Sequence, residues 1–282
     1  MGYRIHMESA VMKKLLLILL LISGSLTSVF AQHNYAYGKF GAGEKFKLDI
    51  FYNWHFIWLN AGWVTFEIRD TSWNGQPAYH LFSQGATNTG YDWFYKVRDT
   101  YQAIVNKNDY LPYWFKCNTY EGGFWDNEEV SFNYQDSIAI TKTENSKQPY
   151  RVDTLKITKN ITDLLSAIYI SRSVVFNQIK IGEKIPVPVI IGNKIYNLHF
   201  RYLGTELVTT RTGNCYRCRK FAVMMVDGTI FSGGEDLTAW ITDDQNCAPV
   251  LLEAKIAVGS VKAFLVEMSG NRWPLENVIK NN

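Results

Sequence analysis

The sequence predicts an all-β, mainly antiparallel fold: a barrel-like sheet, β-roll or open barrel with one short mid-chain helix. Three observations predict it. Apolar and polar residues alternate with period 2 in one run after another. Turn-forming pairs separate the runs. Aromatic residues make up 15% of the chain, a composition suited to pleated, half-buried surfaces.

Taken in order, Phe46, Leu48, Ile50 and Tyr52 alternate with Lys45, Lys47 and Asp49. Val64, Phe66 and Ile68 alternate with Thr65, Glu67 and Arg69, and Val130, Phe132 and Tyr134 with Ser131 and Asn133. Tyr196, Leu198, Phe200 and Tyr202 are set against Asn197, His199 and Arg201. Val250, Leu252, Ala254, Ile256 and Val258 are set against Leu251, Glu253, Lys255 and Ala257. Between the runs stand Asn74-Gly75, Glu121-Gly122-Gly123, Gly192-Asn193, Asp227-Gly228 and Gly233-Gly234. Many short strands with one apolar face each imply a sheet that closes on itself or folds over.

One segment breaks the period. Over 162–172, Leu164, Leu165, Ile168 and Arg172 fall at helical spacing, with Thr162 or Asp163 as N-cap. A weaker helical turn is expected over Tyr91 to Tyr95. Pro186 and Pro188 place their strand at a sheet edge or bulge, because proline cannot donate to a ladder.

Near the start, Lys13 and Lys14 precede the apolar run Leu15 to Ile22, and Val29 and Ala31 stand at the −3 and −1 positions of a small-residue cleavage site. This order predicts a signal peptide over residues 1–31, cut after Ala31, with Met12 the candidate initiator. The expectation is an exported chain, periplasmic or associated with an outer membrane, with one β domain over 32–282. The formal net charge of +3 is low, and part of it lies in the leader, so nothing points to nucleic acid. No later run reaches transmembrane length.

The candidate chemistry is sparse. Cys117, Cys215, Cys218 and Cys247 are candidate disulfide cysteines in an exported protein. Cys215 and Cys218 are spaced as a redox or zinc pair, but they enter a strand rather than a helix. On an extended strand such residues lie about 10 Å apart, beyond the roughly 7 Å that a disulfide spans. Plain buried thiols are the alternative, and the connectivity is open. His33, His55, His80 and His199 form no ligand pair. Asp99, Asp243 and Asp244 are the carboxylates to weigh for acid–base work, yet neighbours on a strand point to opposite faces. No nucleophile, phosphate or dinucleotide motif is present, and no catalytic residue, metal or cofactor is assigned.

Aromatic clusters carry the binding expectation. Trp54, Phe56, Trp58 and Trp63 crowd one hairpin-like stretch, Tyr91 and Trp93 another, and Trp240 stands near the end. They suit a lipid-contacting rim, the mouth of an apolar site or a sugar-stacking platform. The competing expectation is that they fill a core.

Several short stretches, in order, carry a family likeness. They are Gly43-Glu44-Lys45-Phe46, Asn60-Ala61-Gly62-Trp63, Val97-Arg98-Asp99-Thr100-Tyr101 and Tyr110-Leu111-Pro112. Asp163 to Tyr169 with Arg172, then Trp240 to Asp244, Pro249-Val250 and Val258 to Val261 complete the set. From about Gly43 to Val266 the chain resembles the DUF3108 family of exported bacterial proteins. The resemblance implies an exported all-β, barrel- or roll-like domain and carries over no catalytic residue. The leading expectation is a non-enzymatic envelope protein binding a lipid or other apolar or amphipathic ligand inside the barrel or roll. The alternatives are an assembly partner of other envelope proteins, using an open edge near Pro186–Pro188, and a hydrolase acting on envelope polymer through Asp99, Asp243 or Asp244.

Overall fold

In a computed structural model, residues 35–226, 234–255, 259–276 and 278–280 are described. The predicted leader, the turn at Asp227-Gly228, and Ile256, Ala257 and Val258 lie outside them.

The chain forms one antiparallel sheet. Its strands are β1 (Lys45–Trp54), β2 (Ile57–Trp73), β3 (Gln76–Thr87), β4 (Arg98–Asn106), β5 (Pro112–Glu121), β6 (Phe124–Asn133), β7 (Ile138–Asn145) and β8 (Gln148–Lys156). Then follow α1 (Leu164–Arg172), β9 (Lys184–Ile191), β10 (Lys194–Thr209), β11 (Asn214–Met225), β12 (Gly234–Thr242), β13 (Pro249–Lys255), β14 (Ser260–Ser269) and β15 (Val278–Lys280). Strand order is β8-β7-β6-β5-β4-β3-β2-β1-β14-β13-β12-β11-β10-β9, with β15 added beside β11. Two meanders of hairpins therefore meet at a single β1–β14 seam.

The predicted alternation reads out as burial. Phe46 and Leu48 are buried on β1, and Val130 and Phe132 on β6, with exposed or half-buried polar residues between them. On β13 alternation alone fails: Leu251 is buried as well as Val250 and Ala254, because this strand is covered on both faces. The helix starts where its cap predicts. Asp163 accepts the Ser166 N–H at 2.8 Å, and Leu165 and Tyr169 face inward. Pro186 and Pro188 fall on β9, the last strand of the sheet. That edge is less open than the sequence suggests, since Thr162 bridges Val189 and exchanges backbone bonds with Pro188 and Ile190.

Three apolar clusters hold the roll. Ile68, Leu81, Val105, Phe115 and Val130, all at 0 or 1% exposure, fill the concave face of β2–β6 against Tyr169 of the helix and Phe40 of the leading segment. Burying each such side chain contributes about 1.5–3 kcal/mol. The second cluster joins β1 and β14 to the β10–β11 hairpin through Leu48, Val208, Tyr216 and Phe264. The third packs Phe176, Phe200 and Phe221. Buried side chains of these clusters line the interior expected to hold a ligand.

A buried ion pair ties the ends together. Arg172 binds Glu44 through two nitrogens, at 2.6 and 2.9 Å, and donates to the carbonyls of Asn246 and Cys247. Its guanidinium lies 5.0–5.5 Å from the rings of Phe40, Phe46 and Tyr169. Burial alone would oppose this charge, but Glu44 and the carbonyls satisfy the fork and hold it ionised.

Candidate functional site

Phe56, Trp58, Trp93, Phe94, Tyr95 and Tyr120 are exposed at one end of β1–β6. The β1–β2 hairpin pairs Trp54 with Ile57, leaving His55 and Phe56 as a two-residue tip. His55 takes a positive φ of 51° there, and Asn53 Nδ2 bonds the carbonyls of His55 and Ile57. Phe56 consequently projects with 91% of its surface exposed. Beside it the β3–β4 loop makes a short 3-10 turn, Thr89–Tyr91, and further bonds from Phe94 and Tyr95 back to Tyr91. This is the helical turn predicted over Tyr91 to Tyr95, shifted slightly toward the N-terminus.

That loop is held from below. Asn88 Nδ2 donates to the Asn60 carbonyl at 2.8 Å, and Arg98 pairs with Asp92 at 2.6 Å. Trp93 and Phe94 are left 84% and 78% exposed. The neighbouring β5–β6 turn needs Gly122: its φ is +57°, and a Cβ there would sit 2.4 Å from the Tyr95 ring. Gly62 likewise permits β2 to approach β3, since a Cβ would lie 2.3 Å from the Ala86 carbonyl.

Cations border this rim. Arg211, on the β10–β11 turn, stands 4.5 Å from the Phe51 ring centre and 5.0 Å from that of Trp58. Lys262 approaches Trp58, Lys96 approaches Tyr120, and Lys147 approaches Phe124. Just inside lies the opposite charge. Tyr101, Cys117 and Glu128 form one cross-strand row, and Asp99, Glu121 and Asp126 follow on the same inward face of β4, β5 and β6. Burial, then the neighbouring Glu121 charge, pushes Asp99 up to about 7. Burial and Asp126 do the same for Glu128, again to about 7, although the Gly192 backbone bond opposes them. No cation among the described residues offsets these carboxyls.

The structure thus gathers Phe56, Trp58, Tyr91 and Trp93 at one rim. Trp54 ends β1, and its side chain is outside the described residues. Trp63 is half-buried further down β2. Trp240 departs from the expectation: it is 6% exposed in the second cluster, and its indole N–H donates to Glu206 at 2.5 Å. It serves the core because β12 lies inside the sheet between β11 and β13, where Trp240 stands beside Lys220 and Leu251.

The four cysteines are free and buried, the second of the two readings their pattern left open. Cys117 faces the first cluster from β5, and Cys215 and Cys218 sit on the continuous strand β11, where the spacing already argued against a mutual bond. Burial pushes the Cys218 thiol up to about 12. The three aspartates do not share a site. Asp99 accepts the Tyr120 N–H, Asp243 is held by Arg217 and Arg219, and Asp244 turns to Thr242, Asn246 and Cys247. The inner carboxyl row of Glu121, Asp126 and Glu128 was missed by the sequence reading; only the strand register brings it together.

A rolled antiparallel sheet with a packed interior and an aromatic rim defines a β-barrel-like protein. The chain belongs to the family described as Protein of unknown function (DUF3108), whose model matches residues 47–266. Among curated proteins nothing matches the sequence. In shape it is similar to a crystal structure described as a beta-barrel-like protein of domain of unknown function DUF1849 from Brucella abortus. That likeness has 10% identity and a TM-score of 0.53, and covers 82% of this chain and 99% of the other. At that identity it speaks for the fold alone.

Proposed function

We propose that this is an exported, non-enzymatic envelope protein whose aromatic rim engages an amphipathic ligand: the acyl–headgroup boundary of anionic lipid. The observation that carries the reading is the rim itself, where Phe56, Trp93 and Phe94 are largely exposed and Lys96, Lys147, Arg211 and Lys262 lie over the neighbouring rings of Tyr120, Phe124, Phe51 and Trp58. A contiguous exposed aromatic patch marks an interaction surface. Aromatic rings favour the interfacial layer of a bilayer, and lysine and arginine favour anionic headgroups. We place the contact at the rim, outside the first cluster of buried side chains.

Flotation with vesicles of phosphatidylcholine and phosphatidylglycerol tests it. The protein should float with the anionic vesicles, and a Phe56→Ser, Trp93→Ser double variant should bind about tenfold more weakly or worse. Equal binding by wild type and variant would refute the rim. An assembly reading has one observation in its favour: β8 ends the sheet with Tyr150 and Val152 60% and 52% exposed, an edge open to strand addition. If Val152→Pro, rather than the rim variant, releases the protein from its envelope fraction, that reading replaces the lipid one.

A further inference from the structure

Strand β8 ends the sheet, and among the described residues it pairs with β7 alone. No described bridge or loop hydrogen bond reaches its other side, whereas the opposite edge, β9, is partly covered by Thr162. Seven of its nine residues are exposed, so no described segment lies over this edge. Proteins usually blunt an open edge with a short strand, a bulge or a proline. Here the two interruptions, Pro149 and a register shift opposite Asn145, both fall at the start of the strand. From Arg151 to Lys156 the pairing with β7 is regular, and the free row of N–H and C=O groups runs on without a break.

The side chains along this edge complement themselves. Arg151, Asp153 and Leu155 share the concave face, where Leu155 packs on the first cluster and Asp153 accepts from Asn193 Nδ2 at 3.2 Å. Tyr150, Val152 and Thr154 share the outer face, beside Ile140 of β7, which pairs with Thr154. Tyr150, Val152 and Ile140 are all exposed. Two antiparallel copies set with Val152 facing Val152 bring Arg151 of each copy opposite Asp153 of the other. The same setting brings Tyr150 opposite Thr154 and Pro149 opposite Leu155. Within one chain Arg151 already grips Asp153 at 2.6 and 2.7 Å, so the four charges alternate around a closed ring. Opposed unlike charges and aromatic–β-branched pairs both strengthen a ladder. The neighbouring registers do the reverse. Centring the pair on Arg151 opposes two guanidiniums, and centring it on Asp153 opposes two carboxylates.

We propose that β8 joins two copies of this chain, antiparallel and centred on Val152, into a dimer whose sheet runs on from one copy to the other. The contact is isologous, with the same residues supplied by both sides. Backbone bonds provide the attraction, as in any strand addition, and the Arg151–Asp153 pair selects the second copy and its register. A single strand edge is a small interface, so the dimer is weak, with a Kd on the order of 10 μM. None of the rim residues lies on β8, and antiparallel pairing points the two rims away from each other. The assignment therefore stands apart from the lipid reading.

Sedimentation velocity of the purified protein from about 1 to 200 μM tests the association, and the average mass should climb from monomer toward dimer. Cysteine cross-linking tests the register, against a quiet background because the native thiols are buried. Across the dimer the two Val152 side chains start about 4.5–5.5 Å apart, close to disulfide reach. The two Thr154 positions are about 13 Å apart. Under mild oxidation Val152→Cys should therefore give a disulfide-linked dimer and Thr154→Cys none. Charge reversal tests the selection. Arg151→Asp and Asp153→Arg should each self-associate at least tenfold more weakly, because like charges then oppose each other. An equimolar mixture of the two variants should regain the dimer, which restoring a contact within one chain cannot do. Should Asp153→Arg lose its native far-UV spectrum along with the Asn193 bond, the cysteine variants decide. A monomer across the whole concentration range overturns the proposal. So do equal cross-linking at Val152→Cys and Thr154→Cys, or a mixture of folded charge variants that stays monomeric.

Discussion

The two ends of this sheet use the same side-chain types in opposite ways. At the rim, Arg211 and Lys262 lie over Phe51 and Trp58 with water on one side, and Phe56 and Trp93 point outward. At the base, Arg172 is enclosed by Phe40, Phe46 and Tyr169, with only 4% of its side chain exposed. Cation and ring together do not define a role; desolvation does. The enclosed pair fixes three remote segments to one another, whereas the open set adds little to folding and is left for contact with something else.

Breaking the base should have the largest effect. Arg172→Met leaves Glu44 buried and uncompensated and should cost about 3–5 kcal/mol in denaturant unfolding. The double variant with Glu44→Gln should recover part of that loss; if the single and double variants are equally unstable, the ion pair is not what holds the base. Next comes the helix between the two meanders. Asp163→Ala removes the cap of Ser166 and should lower stability by about 1–2 kcal/mol.

A smaller effect, growing as pH rises above about 4 and complete near neutrality, is expected inside the rim. The folded protein raises Asp99 from 3.8 to about 7. The stability that its neutral form contributes is therefore complete below the unfolded value and is lost as pH rises toward 7. Asp99→Asn keeps an acceptor for the Tyr120 N–H and should stabilise the protein at about pH 8, on the order of 1 kcal/mol once partial solvent access is discounted. Near pH 4 it should change nothing; equal stabilisation at both values would remove the carboxyl row from the account. Smallest of all, Phe56→Ser should leave the melting temperature within the shift of about 0.5 kcal/mol, because the side chain buries almost nothing.

Much of the fold was legible because its signals are local. Period-2 runs marked β1, β2, β6 and β10, Asn74-Gly75 and Gly192-Asn193 marked hairpin tips, Asp163 marked a helix start, and two prolines marked an edge strand. What stayed hidden depends on register and on residues far apart in the chain. Glu44 meets Arg172 across 128 positions, and Lys39 meets Cys247 across 208. Nothing near Trp240 distinguishes it from Trp58; one strand is enclosed and the other ends a hairpin. The cysteines stayed open for a related reason, since their even number beside a predicted signal peptide allows pairing, whereas their places along β5, β11 and the turn before β13 keep them as separate thiols.

The single seam between β1 and β14 has a consequence for how the chain acquires its shape. Within β1–β8 and within β9–β14 each strand pairs with its neighbour in sequence, so both arms can zip up by short loop closures. Lys45, however, must find Ser269, near the other end of the polypeptide. Among the described strands, β1 therefore waits for β14, and until that partner arrives one flank of the earlier arm remains an unclosed edge.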